Sequence, residues 1–305
     1  MDLLHDYLTR ARASGALFAR SVALQPWGLT LPGAIKLSLH TVLRGSMWLW
    51  VDKPSEAVCL LPGDVALVVG GQDHHIAHKP DPNLCMSHEQ FWARDAVDAD
   101  NPDAAIFLCG AYRLDGDVGR GLIQALPPML VIRPAAHDQI HDVVSLISRV
   151  LSHPVPGQQT VLDRLLDILL VMAMRESFEQ SPTAPRWYRA ATDPRLGCAI
   201  QAMHKEPERP WTVPALAQLC AMSRPSFARN FERVLGQTPM QYLTDWRITL
   251  ARDYLLAGDL SLEQIALRTG YSSCNAFAAA FRRHVGVAPG RWRSSILSGE
   301  HGTEI

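Results

Sequence analysis

The chain has 305 residues, 48% apolar and 19% charged, enough to bury the cores of two ordinary domains. No apolar run reaches the length of a membrane span; the strongest, LLDILLVMAM (165–174), is short and carries Asp167. The net charge is −1, but it divides unevenly: residues 1–190 carry 16 Lys and Arg against 20 Asp and Glu, and residues 191–305 carry 13 against 10. The opening MDLLHDYLTR has acids where a secretory signal would be basic, so a cytoplasmic protein with no membrane partner is expected. Cys59, Cys85, Cys109, Cys198, Cys220 and Cys274 form no C-x-x-C, which argues against a structural zinc knuckle and predicts mostly free, packed thiols in a reducing compartment.

Residues 20–135 read as short strands and turns. IKLSLHTVLRGSMWLWV alternates around a glycine, AVCLLPGDVALVV splits two apolar runs at Pro-Gly-Asp, and AAIFLCGAYRL and MLVIRP continue the style. Strands this short and turns this regular predict a small antiparallel barrel or sandwich. From about 137 the period changes. HDQIHDVVSLISRVL places Ile140, Val143, Val144, Ile147 and Leu151 on one helical face, and TVLDRLLDILLVMAMRESF is a longer helix that is apolar on most sides. Such a helix needs cover from more than one direction, from the barrel or from a second subunit. The proline-rich stretch that follows predicts a linker over 181–195 between a domain of residues 1–180 and a helical domain of 196–298.

The helical part contains a repeat. LAQLCAMSRPSFARNFERVLG (216–236) and IALRTGYSSCNAFAAAFRRHVG (265–286) are each a short helix, a tight turn and a longer helix, offset by about fifty residues. That is the pattern of a helix-turn-helix. Phe227, Phe231 and Leu235, and again Phe277, Phe281 and Val285, share an i, i+4, i+8 face that must be buried. The opposite faces then carry Arg224, Ser226, Arg229 and Arg233 in the first copy, and Asn275, Ala279, Arg282 and Arg283 in the second, with Ser273 near the start of that helix as a further candidate DNA contact. Arg and Asn can read guanine and adenine edges in a major groove, or clamp phosphates. A solvated polar face is the plain alternative for one such helix; two copies with the same polarity weaken it. The connecting segment PMQYLTDWRITLARDYLLA (239–257) is nineteen residues of good helix, roughly 28 Å at about 1.5 Å per residue. Adjacent major-groove faces on one side of a duplex lie about 34 Å apart, so a rod of this length could hold both readers on the same face.

With these residues in place, 195–295 resembles the AraC/XylS family of bacterial transcription regulators, most specifically in IALRTGYSSCNAFAAAFRRHVGVAPGRWR. The resemblance implies seven helices, two helix-turn-helix units, promoter DNA and RNA polymerase as partners, a homodimer, and usually activation. Two positions depart from the family: Glu232 stands where a basic residue is frequent, and Ala279 where arginine is frequent. The first unit is therefore expected to carry more sequence information. SLHTVLRGSMWLWV, LPGDVALVVGGQDHHI and LCGAYRLDG resemble the cupin-type sensor of one subgroup, which makes the helices over 137–178 its dimerisation element. The implied fold is α+β: a cupin-like antiparallel β-barrel with dimerisation helices, then an all-α double helix-turn-helix domain.

DHHIAHKPDPNLCMSH (73–88) is the chemically rich stretch of the first part. His74, His78, Cys85 and Cys109 are candidate ligands for zinc or another transition metal, with His40 joining them through the cupin resemblance. His74 equally suits a structural role. Cys85 and Cys109 are an alternative redox pair, and Met47, Trp48 and Trp50 could line a pocket for a small organic effector. A cupin enzyme fused to a helical tail is the rival from another class. LHTVLRG, however, lacks the second histidine and the glutamate a catalytic cupin uses, and no cysteine-rich zinc site precedes the helical part, as a DNA-repair methyl acceptor would require.

Overall fold

The computed structural model describes residues 4, 8, 14–114, 116–134, 138–152, 155–180 and 184–297. The chain divides into two compact units, one of Arg12–Asp115 and Gly121–Thr183, the other of Ala184–Ile305 with Met1–Ala11 and Gly116–Arg120.

The first unit is two five-stranded sheets. Strands β1 (Ser14–Ala23), β9 (Ala105–Arg113), β3 (Leu37–Arg44), β6 (Val65–Val69) and β10 (Met129–Ile132) form one sheet in that order. Strands β5 (Val58–Leu60), β4 (Met47–Trp50), β7 (His74–Ala77), β2 (Gly28–Leu31) and β8 (Met86–Ser87) form the other. The barrel expected from the sequence is thus two open sheets among the described residues, with β1, β10, β5 and β8 at the edges. The core between them holds Trp27, Leu29, Val42, Met47, Leu60, Ile76 and Phe107, all nearly inaccessible. Trp27 stacks on Phe107 at 4.8 Å, and Phe91 closes on both rings. Met47 is part of this core, Trp48 is half-buried and Trp50 stacks on His75 at 5.2 Å.

Helices α1 (His88–Trp92) and α2 (Gly116–Gln124) interrupt the strand-rich region. Helices α3 (Gln139–Ser152) and α4 (Gln158–Gln180) follow it. Leu166, Leu169, Leu170, Ala173 and Met174 of α4 are buried, and Tyr112 Oη donates to the Leu166 carbonyl at 2.8 Å. Val161 and Ile168 of the same helix, seven residues apart, are 47% and 42% exposed, so this unit covers α4 on only some of its sides.

The second unit is helical: α5 (Arg186–Thr192), α6 (Gly197–Lys205), α7 (Val213–Leu219), α8 (Arg224–Leu235), α9 (Pro239–Ala257), α10 (Leu262–Arg268), α11 (Cys274–Val285) and α12 (Pro289–Leu297). Helix α5 stands inside the stretch read as a linker. Pro185 starts it, and Tyr188 and Ala190 are buried, so a composition that suggests a spacer also supplies an apolar face. Residues 181–183 of that stretch lie outside the described residues. A second difference concerns the thiols. Cys198 and Cys220 are bonded to each other, while Cys59, Cys85, Cys109 and Cys274 are free. The expectation of free cysteines missed this pair because α6 and α7 bring together residues 22 positions apart, beyond any local spacing rule.

Candidate nucleic-acid interface

Each reader is built from its own caps. In the first, Thr212 caps α7, whose side chain accepts from Ala215 N–H, and Ser223 caps α8, accepting from Ser226 N–H, with Pro225 in the first turn. Gly236 then stops α8 at φ 76°, a conformation glycine adopts without a Cβ clash. In the second, Ser261 and Gln264 make a reciprocal capping box on α10, Ser273 caps α11 through Ala276 N–H, and Gly286 stops it.

Packing turns one face of each second helix inward. Phe227 and Phe231 are fully buried with ring centroids 5.5 Å apart, and Phe231 meets Tyr242 of α9 edge-on. Phe277 and Phe281 repeat the arrangement at 5.7 Å, with Tyr271 on one side and Trp292 of α12 on the other. Helix α9 belongs to both cores. Its N-terminal half gives Tyr242, Leu243 and Trp246 to the first reader, where Trp246 stacks on the buried His204 at 3.9 Å. Its C-terminal half gives Ile248, Ala251 and Leu255 to the cluster around Phe277 and Phe281. A helix buried at both ends in separate cores acts as a strut, because bending it would unpack one of them.

The opposite faces are free. Arg224, Arg229 and Arg233 of α8 and Asn275, Arg282 and Arg283 of α11 are exposed. Among the described residues none of these five arginines is held in an ion pair; the Arg233 guanidinium donates to Asn230 Oδ1 at 2.9 Å. Ser226 is half-buried on the flank of α8, and Ser273, though exposed, already uses its hydroxyl oxygen to cap α11. In the repeat alignment Arg229 corresponds to Ala279, which is exposed and offers only a methyl group. Glu232 is exposed beside Arg229 and Arg233, so a phosphate near this turn would meet one repulsive charge.

The histidines of the first unit form a different kind of site. His40 on β3 lies directly opposite Cys109 on β9, and His74 comes from β7 of the other sheet. His40 Nδ1 is 3.2 Å from Cys109 Sγ, and His40 Nε2 is 2.8 Å from His74 Nε2. All three are buried. Burial holds the His40 ring below its usual pKa, with His74 adding to the effect. Burial and then His75 lower His74 to about 4 against the opposing pull of Asp73. Burial pushes the Cys109 thiol up to about 12. At neutral pH these are therefore two neutral rings and a thiol, sharing hydrogen bonds in a chain from one sheet to the other.

The other two candidate ligands are placed elsewhere. His78 Nδ1 lies against the Trp27 backbone, 3.2 Å from its nitrogen and 3.0 Å from its oxygen. Cys85 sits ahead of β8, half-buried, its thiol raised by burial and by Asp81. Among the described residues no group of three or more His, Cys, Asp or Glu side chains is set to hold a metal ion, because the His40 nitrogens point at its two neighbours and not at a shared centre. No bond joins Cys85, which precedes β8, and Cys109, which lies on β9 of the other sheet.

Two reading helices on one strut, joined in sequence to a two-sheet unit with a buried histidine chain, define a DNA-binding regulator with a cupin-like N-terminal unit. The cupin family matches residues 2–179, and a helix-turn-helix domain matches residues 216–295. The chain is 30% identical to a putative AraC-like transcription regulator of Streptomyces lividans, over 96% of this chain and 98% of the relative. It is 28% identical to the RCS-specific HTH-type transcriptional activator RclR of Escherichia coli, over 97% and 98%. Among solved structures, the DNA-binding domain of AdpA in complex with a target DNA is 29% identical, with a TM-score of 0.34, covering 37% of this chain and all of that one. The chain belongs to the AraC-like family of transcriptional regulators, and it is a double-stranded-DNA-binding regulator and not an enzyme. Among the described residues no helix is long and apolar enough to cross a membrane.

Proposed function

We propose that this chain is a cytoplasmic transcriptional activator that reads two adjacent major grooves of one promoter duplex, α8 entering the first and α11 the second. The observation that carries the reading is the outward display of Arg224, Arg229, Arg233, Asn275, Arg282 and Arg283 on two helices tied to one strut. Arg229 reads a base, since a guanidinium can bond two acceptors of guanine at once. Arg282 and Arg283, in the last turn of α11, hold phosphates, with Ser226 and Ser273 as accessory contacts. RNA polymerase is the partner that activation requires, and RclR, the E. coli relative, carries the name of an activator.

Two substitutions test the assignment of roles. With an operator selected by the full-length protein, Arg229→Ala is expected to cost about 1–3 kcal/mol of specific binding and to relax the preference at one base pair. Arg283→Ala is expected to weaken binding to every duplex alike and to reduce the slope of log K against log salt by about 0.9. Equal operator affinity of Arg229→Ala and wild type would remove the base-reading role.

We further infer that the chain works as a homodimer paired through α3 and α4, where Val161, Ile168 and Leu146 leave apolar surface uncovered. The signal enters through the cupin-like unit. The His74–His40–Cys109 chain is the part of that unit best suited to chemistry, and a metal such as zinc, taken up by rotation of the rings, fits its donors better than an organic effector or an oxidant, since burial keeps the Cys109 thiol from its reactive thiolate form. Metal analysis of the purified protein beside His74→Ala and Cys85→Ser separates these. About one ion per chain, lost in His74→Ala and kept in Cys85→Ser, is expected for the metal signal; no ion in any of the three would eliminate it.

A further inference from the structure

The bond between Cys198 and Cys220 lies in the DNA-reading unit, at a place where it can act on the first reader. Their Cα atoms are 5.9 Å apart, inside the range that a disulfide spans without backbone movement. Cys198 stands in the first turn of α6 and is exposed; Cys220 caps the C-terminus of α7 and is half-buried, so a small oxidant or reductant can reach the pair.

The turn that Cys220 opens is the one between the two helices of the first reader. Ala221 follows at φ 50°, a left-handed conformation that its Cβ disfavours, and Ser223, the cap of α8, comes two residues later. The second reader solves the same turn locally. There Thr269, buried, donates its hydroxyl to the Ile265 carbonyl at 2.6 Å, and Gly270 takes φ 75° without a side-chain cost. The first turn thus lacks the glycine and the buried hydroxyl of its twin, and has in their place a covalent tie to α6.

We propose that Cys198 and Cys220 form a reversible thiol–disulfide switch in the DNA-reading unit, the closed form being the tighter reader. Closing needs a two-electron oxidant, for which a hydroperoxide serves. The Cys198 thiolate attacks one peroxide oxygen, the O–O bond breaks, and the oxygen that leaves takes up a proton; the sulfur becomes a sulfenic acid. Cys220 then attacks that sulfur, the S–O bond breaks and water leaves with the Cys220 proton. A dithiol reductant reverses the bond by exchange. In a reducing compartment a bond of this kind forms transiently, in response to oxidant. Held closed, it pre-orders the strained turn, so that α8 meets the groove already oriented and less ordering is lost on binding.

The inference rests on α8 reading DNA, and the test keeps the two apart. The full-length protein is treated with hydrogen peroxide or with dithiothreitol, its cysteines are mapped by peptide mass spectrometry, and binding to the selected operator is measured in each state. The expected result is a peptide linking Cys198 to Cys220 after peroxide, and an affinity at least about fivefold higher than in the reduced state. Cys198→Ser and Cys220→Ser are expected to bind like the reduced protein in both conditions, whereas the double variant Cys85→Ser, Cys109→Ser keeps the response. Absence of the linked peptide, equal or weaker binding after oxidation, or a response that survives Cys198→Ser would each overturn the switch. Because the linked peptide and both affinities are read on the unmutated protein, a variant that fails to fold does not remove the test. Loss of operator binding in both states would instead strike at the role of α8.

Discussion

Phe281→Ala is expected to cost about 3–5 kcal/mol of stability, the usual range for a large aromatic ring removed from a close-packed site. Phe281 is fully buried, meets Phe277 and Trp292 edge-on, and shares its cluster with Ile248, Ala251, Leu255 and Ile265. That cluster supplies the apolar packing that orients α11, beside the His284–Asp245 contact at 3.4 Å. Its loss should release the second reader, while the first keeps its own core of Phe227, Phe231, Tyr242 and Trp246. Thermal unfolding followed beside operator binding checks this: an early transition for the second reader and loss of its half of the footprint are expected. A fully cooperative transition at the wild-type temperature would mean that the ring contributes little.

Thr249→Pro addresses the strut. Thr249 lies in the middle of α9, partly buried, and its hydroxyl donates to the Asp245 carbonyl at 3.0 Å. Proline there removes a backbone N–H and clashes with the carbonyl one turn back, at a cost of about 3 kcal/mol or more, and kinks the helix. The two cores on either side are expected to survive, but their readers would no longer share one side of a duplex. Binding to a full operator should fall towards that of a single half-site, while half-site affinity changes little. A full-operator affinity equal to wild type would show that the rigidity of α9 is not what couples the readers.

The parts that were legible in the sequence are those governed by local rules. Ser223, Thr238 and Ser261 stand at the spacing of helix caps and cap their helices, Ser273 and not its neighbour Ser272 caps α11, and Gly236 and Gly286 end their helices in the left-handed conformation. The phenylalanine pairs had to be buried because their spacing puts them on one side of a helix, and Arg229 and Asn275 had to be outward for the same reason. What escaped depends on partners far away in the chain. Two open sheets and a closed barrel share the same alternation, and only the pairing of edge strands tells them apart. The stretch 73–88 was rich in donors, but neighbours far away in the chain decided their use: His40 reaches His74 across the sandwich, the Trp27 backbone occupies His78, and Cys85 precedes β8 while Cys109 lies on β9 of the other sheet. Helix α5 was hidden by its prolines, and the Cys198–Cys220 bond by the 22 residues between its ends. Arg224, in the first turn of α8, and Ser226, half-buried beside it, illustrate a finer limit. A helical period sorts residues into inner and outer faces but does not grade the flank between them.

The central claim, two reading helices on one side of a duplex, is tested most directly by hydroxyl-radical footprinting of the full-length protein on its selected operator. Each bound chain is expected to protect two windows on the same face of the DNA, centred about one helical turn, 10–10.5 base pairs, apart. A single protected window, or two windows on opposite faces half a turn out of phase, would contradict it.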